Sequence, residues 1–590
     1  MSDEEMARRL REGLDNPVPR IVVDPGAVVR KGRRRRTARV AAVSSTAVAL
    51  VAGVTVAAVA VGSSQPRPAS TPTVSAVAQA GPTTIYANDR QYAEDGTVVS
   101  PGTLLATLAS GADGAEGCEA ADAVVAGSGY FCDWVTKILV TDPAFGATEA
   151  DRRALLDRGG LTITTTLDPG VQTTATEEVL RSVPVGDPSG VVQAMAVVEP
   201  GTGQVKALAQ STTYTATDSE ALGETTINLN VAQPYDNTMG FQPGSAFQVF
   251  TLLAWLEAGH SLDEVVSGSS PQTFQMSQFT GCNGTLGGNA YTVNSSEGGA
   301  GSMTVADATK NSVNVAFMSM ATQLSLCTIM QRAADLGVVQ AGSATEPFHD
   351  YPSNVFGTDS TTPLAMAGAF AAFASGGIYC TPIAITKVVD TSGENLPVPD
   401  AGCHQEIDPG VAAAMNLALS GVWSGTMTAV PTPAFPSAGA TGTTNHNEYT
   451  WFVGYTPRLS AAVVVSGSLS KYTSPNNKTI GGTRYGTVFG ATIAGPTWQR
   501  FVTRALDDGQ PNPDFSQGPS ELVNGAQVSI PDVTGMSVDE ATTTLQSAGF
   551  TVSVAPDQVA SSVAAGLVAQ QSPTGTTTPG SAITLSVSNG

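Results

Sequence analysis

The sequence predicts an α/β body behind a single apolar span, closed at its C-terminus by a small β–helix–β module. Three observations carry that prediction. Strands and helices alternate from Val191 to about Leu506, an uncharged run of 22 residues (Val40–Val61) follows a dense basic cluster, and residues 526–590 contain no Lys or Arg. With 13% charged and 42% hydrophobic residues, most of the 590-residue chain can bury a core, which excludes wholesale disorder. The 28 basic residues against 50 acidic give a net charge of −22, unevenly spread. Residues 1–39 carry 11 basic and 6 acidic side chains, so residues 40–590 carry 17 against 44, a net −27. A body that acidic repels phosphate backbones and argues against nucleic acid as a partner.

The N-terminus fixes the expected address. At about 1.5 Å per residue a helix over 40–61 crosses a hydrocarbon core of about 30 Å. Arg30-Lys31-Gly32-Arg33-Arg34-Arg35-Arg36 precedes it and Arg39 abuts it. The positive-inside rule then places residues 1–39 in the cytoplasm and the body outside, as a single-pass protein of the cell membrane. A cleaved signal peptide is the alternative, with Ala58-Val59-Ala60 as its small-x-small site, but the basic tail and the apolar run are both long for one.

Residues 62–129 read as stalk and linker, Pro-containing and small at 63–80. Within 130–190, a helix at Thr148–Arg158 stops at Gly159-Gly160 before the β-rich run Leu161–Leu167. Val191–Val198 is an apolar strand, Glu199–Gly203 a turn and Gln204–Ala209 the returning strand. Residues 508–525 are a linker. All six cysteines lie after the apolar run, as an exported protein requires. Sequential pairing, Cys118–Cys132, Cys282–Cys327 and Cys380–Cys403, is one of 15 connectivities, with buried free thiols as the alternative. No C-x-x-C occurs and only four His are present, so no metal site or other cofactor is expected.

Three phrases stand in an informative order: Phe241-Gln-Pro-Gly-Ser-Ala-Phe-Gln248, Lys310-Asn-Ser-Val-Asn314 and Gly439-Ala-Thr-Gly-Thr-Thr444. Ser312 comes 67 residues after Ser245, and Thr441 comes 129 after Ser312. Together they resemble the S-x-x-K, S-x-N and K-T-G frame of penicillin-binding proteins. Thr362–Phe370, Gly376–Tyr379 and Ala494–Trp498 support the likeness, and Tyr130–Asp133 with Gly160–Pro169 resembles the lead-in of that family's bifunctional class. At the C-terminus, Ile530-Pro-Asp-Val-Thr-Gly-Met536, a helix through Leu545 ending at Ala548-Gly549-Phe550, and strands at Thr551–Val554 and Ala582–Val587 resemble a PASTA domain.

The resemblance implies a penicillin-binding-protein/serine β-lactamase-like transpeptidase fold over 191–507, a mostly antiparallel sheet between helices, with 130–190 as its membrane-proximal lead-in. A small α+β PASTA domain follows at 526–590. It implies Ser245 as the nucleophile toward a D-Ala-D-Ala carbonyl, Ser312 and Asn314 as the proton-shuttling pair, and Ala440, Thr441, Gly442 and Thr443 as the substrate strand. The chain departs from the family at two charged positions. Gln248 holds the place of the S-x-x-K lysine and Ala440 that of the K-T-G lysine. An amide cannot act as a base near neutrality. His446 is read as a loop residue beside the cleft, and Lys310 as a surface residue on the same helix as Ser312. Residues 63–129 are too few for a glycosyltransferase domain plus a stalk, so glycan polymerisation is not expected.

The sequence therefore predicts a catalytically degenerate transpeptidase-like protein of peptidoglycan biogenesis. Its expected partners are peptidoglycan stem peptides, the cell membrane and other cell-wall synthesis proteins. The alternative is a working serine D,D-transpeptidase that cross-links stem peptides and is acylated by β-lactams. A β-lactam sensor is a third reading, but the 39-residue tail offers it little signalling output.

Overall fold

The computed structural model describes residues 81–590 apart from 90, 93–97, 112–113, 220, 237, 296–300, 468–472 and 579. The expected membrane span 40–61 lies outside the described residues. Among those described, no helix is long and apolar enough to cross a membrane.

The body is organised on one five-stranded sheet: β1 (Val192–Val198), β2 (Val205–Gln210), β3 (Ala438–Thr443), β4 (Tyr449–Tyr455) and β5 (Ser460–Ser466). The order is β3-β4-β5-β1-β2 and every pairing is antiparallel. Alternate residues of one strand enter different cores. Ala194, Ala196 and Val198 join one cluster, whereas Val191, Met195 and Val197 join the other. A strand points successive side chains to opposite faces, so a sheet covered on both sides needs apolar residues at every position. That is why Val191–Val198 reads as a continuous apolar run.

On one face α5 (Pro363–Ala374) packs against β1 and β5; on the other, α7 (Ala494–Ala505) lies with α1 (Pro169–Ser182). The start of α1 is set by Asp168, whose carboxylate accepts from the Gly170 and Val171 amides at 2.9 and 3.0 Å, with Pro169 in the first turn. Glu178 of α1 then meets Arg500 (2.8 Å) and Arg504 (2.6 Å) of α7. Burial of the Glu178 carboxylate opposes its charge, but the two guanidinium groups prevail and hold it below the usual range.

The stretch 62–129 is not all linker. From Thr83 onward it is structured: Thr83–Tyr86 and Leu104–Leu108 form a second five-stranded sheet with Thr162–Thr165, Ile385–Val389 and Asn395–Leu396. Thr83–Tyr86 runs parallel to Thr162–Thr165, a long-range pairing that small polar residues do not announce. Helix Gly129–Thr141 packs against the helices Ala115–Glu119 and Glu149–Arg158, held by Cys118–Cys132 and by Tyr130 edge-on to Tyr214 at 5.3 Å. The other cysteines form Cys282–Cys327 and Cys380–Cys403.

The C-terminal module places the helix Val538–Ser547 against a three-stranded sheet of Thr551–Val554, Ala582–Val587 and Val568–Ser572. A capping box starts that helix, Ser537 and Glu540 bonding each other's backbone amides. Ile530, Val533, Leu545, Phe550, Ile583 and Leu585 make a core of its own.

Candidate active site

The site forms where the edge strand β3 meets the start of α2 (Gln248–Glu257) and the break between α3 (Val305–Lys310) and α4 (Asn314–Ala321). Ser245 sits in the tight 3₁₀ turn Gly244–Phe247 that leads into α2. Gly244 has φ +60°, and a Cβ there would stand 2.7 Å from the Thr443 carbonyl carbon. A Cβ on Gly442 would stand 2.3 Å from the Pro243 oxygen. The two glycines let the turn and the strand touch backbone to backbone. That contact brings Ser245 Oγ within 3.3 Å of the Thr441 carbonyl, to which it donates.

Ser312 does not share a helix with Lys310, contrary to the sequence reading. α3 ends at Lys310, and Ser312 adopts φ +52° in the break before Asn314 begins α4. The left-handed turn aims Ser312 and Asn314 at the same partner. Ser312 Oγ donates to Gln248 Oε1 at 3.0 Å, and Gln248 Nε2 donates to Asn314 Oδ1 at 2.8 Å. Asn314 Nδ2 donates onward to the Asn294 carbonyl at 3.2 Å. Gln248 itself is 3% exposed. The amide thus serves as a neutral cross-brace between α2 and the α3–α4 break.

Ser245, Gln248, Ser312, Ala440 and Thr441 border one small space of about 20 Å³, floored by Val249, Phe317 and Leu419. That is room for about one water molecule. Ser245 also faces the other way, into an open groove of about 350 Å³ walled by Tyr291–Asn294, Asn314, Thr358 and Thr443–Asn445. Thr443 Oγ1 accepts from the Gly490 amide at 3.2 Å, and Thr441 Oγ1 donates to Thr426 Oγ1 at 3.0 Å.

Charged groups stand aside. The Lys310 stem lies over Gly421 and Gly425, away from both spaces. Lys478 donates to the Ser189 and Gly467 carbonyls at 2.9 and 3.0 Å, and its burial lowers its pKa. His446 occupies the turn between β3 and β4 at φ +62°, exposed to solvent. Among the described residues, no cluster of His, Cys, Asp or Glu is placed to hold a metal. Sequence reasoning missed Tyr291, which begins the short strand Tyr291–Val293, and Asn294 and Thr426 outside regular elements, none of which carries a motif signal.

Comparison with known proteins identifies two domains. Residues 193–483 match the penicillin-binding protein transpeptidase domain, and residues 528–589 match the PASTA domain. The chain carries a penicillin-binding protein transpeptidase domain followed by a PASTA domain. Among curated relatives, penicillin-binding protein 1A of Mycolicibacterium smegmatis is 28% identical over 377 residues, 60% of this chain and 42% of the relative. Penicillin-binding protein 1A of Mycobacterium tuberculosis is 28% identical over 394 residues, 64% and 43% respectively. The chain therefore spans about two-fifths of the length of these relatives. Among solved structures, the PonA1 protein from Mycobacterium tuberculosis in complex with penicillin V is 26% identical, with a TM-score of 0.49, covering 62% of this chain and 91% of that one. Within the transpeptidase domain, Ser245 lies in the turn, Ser312 and Asn314 at the helix break and Ala440–Thr443 on the edge strand, and the three meet beside Ser245.

Proposed function

We propose that this chain is a membrane-anchored, extracytoplasmic transpeptidase-like protein of peptidoglycan biogenesis whose serine is not acylated at a useful rate. It acts instead by binding peptidoglycan stem peptides and by bracing partners in wall synthesis. One observation carries the reading: the residue bonded to Ser312 and Asn314 at the base position is the amide of Gln248. Opening a lactam or peptide bond joins Ser245 Oγ to the carbonyl carbon, breaks the C–N bond and moves the hydroxyl proton to the departing nitrogen. The Ser245 hydroxyl donates to a backbone carbonyl, which is no base, and the Ser312–Gln248–Asn314 chain is neutral throughout. Loss of general-base help slows such a step by about 10²–10⁴-fold. The groove and the frame remain, which supports binding without turnover. The basic cluster and the apolar run 40–61 support the membrane anchor, and the PASTA domain supports a second contact with the wall or with assembly partners.

The alternative, an active D,D-transpeptidase acylated by β-lactams, draws on the convergence of Ser245, Ser312 and Asn314 around an open groove. A fluorescent penicillin separates the two. Under the proposal the purified chain takes no label within minutes. A stable adduct at that time, absent in Ser245→Ala, makes the protein an enzyme.

A further inference from the structure

Resting on that reading of a cleft that binds stem peptides without reacting, we infer that among such peptides the groove beside Ser245 selects one whose terminal carboxyl is amidated over one that keeps the free carboxylate. Among the described residues, none that lines the groove or the adjoining small space is charged. The two positions at which the family resemblance expects an ammonium group are Gln248 and Ala440, both uncharged. Of the described lysines nearby, neither Lys310 nor Lys478 lines the groove or the adjoining space. Lys310 lies against Gly421 and Gly425, and the Lys478 ammonium is committed to the Ser189 and Gly467 carbonyls.

A carboxylate entering this groove sheds water and meets no counter-charge, which is costly. It also enters the field of a body whose residues 40–590 sum to −27. A carboxamide carries no such penalty, and it presents a donor and an acceptor together. The groove offers both kinds of partner. Ser245 Oγ donates to Thr441 and keeps its lone pairs free, and Thr443 Oγ1 accepts from Gly490 and keeps its hydrogen free. Asn445, exposed at the groove rim, adds an amide of both kinds. A carboxylate, which only accepts, uses half of that surface.

The test is calorimetric titration of the full chain with N-acetyl-D-alanyl-D-alanine and with its C-terminal primary amide. The amide should bind about tenfold tighter or more, the usual worth of a charged hydrogen-bond partner, with an affinity indifferent to salt. Equal or tighter binding of the acid overturns the inference, and so does binding of neither peptide. Ala440→Lys should strengthen acid binding about tenfold and leave the amide nearly unchanged; if that variant does not fold, the comparison in the unmodified chain stands alone. Labelling by penicillin tests the unreactive serine and the acid/amide ratio tests the neutral groove, so each can fail without the other.

Discussion

Gln248→Lys should give this protein the reactivity that its frame anticipates. The new side chain would start 3% exposed at the head of α2, with Ser312 Oγ and Asn314 Oδ1 as ready acceptors for its nitrogen. The adjoining small space of about 20 Å³ takes up the extra length of a lysine. Two bonds made by the glutamine amide change character. The Asn314 contact survives, while Ser312 must turn its hydrogen elsewhere, a structural cost of about 1 kcal/mol. The gain is larger. General-base help of about 10²–10⁴-fold corresponds to about 2.7–5.4 kcal/mol off the barrier. Burial disfavours the ammonium form and lowers the lysine pKa toward the working range. The amine acts as a base only when deprotonated, so the acylation rate should climb with pH through that lowered pKa and level off above it. The assay is the second-order rate of fluorescent-penicillin labelling, read against Ser245→Ala and against Gln248→Lys/Ala440→Lys, with circular dichroism to verify folding. A folded Gln248→Lys and a folded double variant that both label no faster than the unmodified chain would refute the reasoning. The cleft would then be altered in shape, not merely in charge.

Three further outcomes follow from the geometry. Gly442→Ala should lower thermal stability by about 1–3 kcal/mol, because its Cβ would press on the Pro243 oxygen at 2.3 Å and on Ala246 and Trp451 at 3.0 Å; an unchanged melting temperature would mean the turn and strand are not held in contact. Glu178→Gln should cost about 1.5–3 kcal/mol near neutrality by removing the carboxylate between Arg500 and Arg504. Since the folded pKa of Glu178 is depressed, its contribution is complete above the unfolded value of about 4.3 and is lost as pH falls through the lower folded value, so the gap between variant and parent in denaturant titrations should close in strong acid. Cys282→Ser/Cys327→Ser opens a loop with a sequence separation of 45 and should cost up to about 4 kcal/mol of stability on the chain-entropy account, measured by urea denaturation.

Much of the fold was legible because its signals are local or periodic. The β1–turn–β2 hairpin announced itself by two apolar runs around Pro200-Gly201, and the central sheet's two buried faces explain why those runs do not alternate. The three site phrases were legible as short motifs, and their meeting followed from the family likeness. The remainder depends on contacts distant in sequence. The strands at Thr83–Tyr86 and Leu104–Leu108 are short runs inside a Pro- and Gly-containing stretch, and their place is set only when Thr83–Tyr86 pairs with Leu104–Leu108 on one side and Thr162–Thr165 on the other. The break at Ser312 is invisible because nothing in Lys-Asn-Ser-Val-Asn forbids a continuous helix; the left-handed φ is held by tertiary bonds to Gln248. The groove wall at Tyr291–Asn294 is too short to show a period, and it is tied to the site by the Asn314–Asn294 bond and by packing against the helix that Asn314 begins.

The glutamine at position 248 separates two jobs that a single side chain can perform. A protonated lysine there would donate only, so it could hold Asn314 but would leave the Ser312 hydrogen without an acceptor. The amide accepts from Ser312 and donates to Asn314, and so satisfies both with one planar group. The brace between α2 and the α3–α4 break is therefore complete without any charge to bury, and a buried charge lacking a partner would have been costly at this 3% exposed position. It follows that stability and reactivity should respond oppositely at this residue. Gln248→Ala removes the brace, takes one hydrogen bond each from the half-buried Ser312 and Asn314, and should destabilise the domain by about 1–3 kcal/mol without creating activity. Gln248→Lys should create activity at a smaller structural cost. If instead Gln248→Ala leaves the melting temperature unchanged, the amide is not what holds Ser312 and Asn314 in line, and the frame must be kept by the backbone contacts of Gly244 and Gly442 alone.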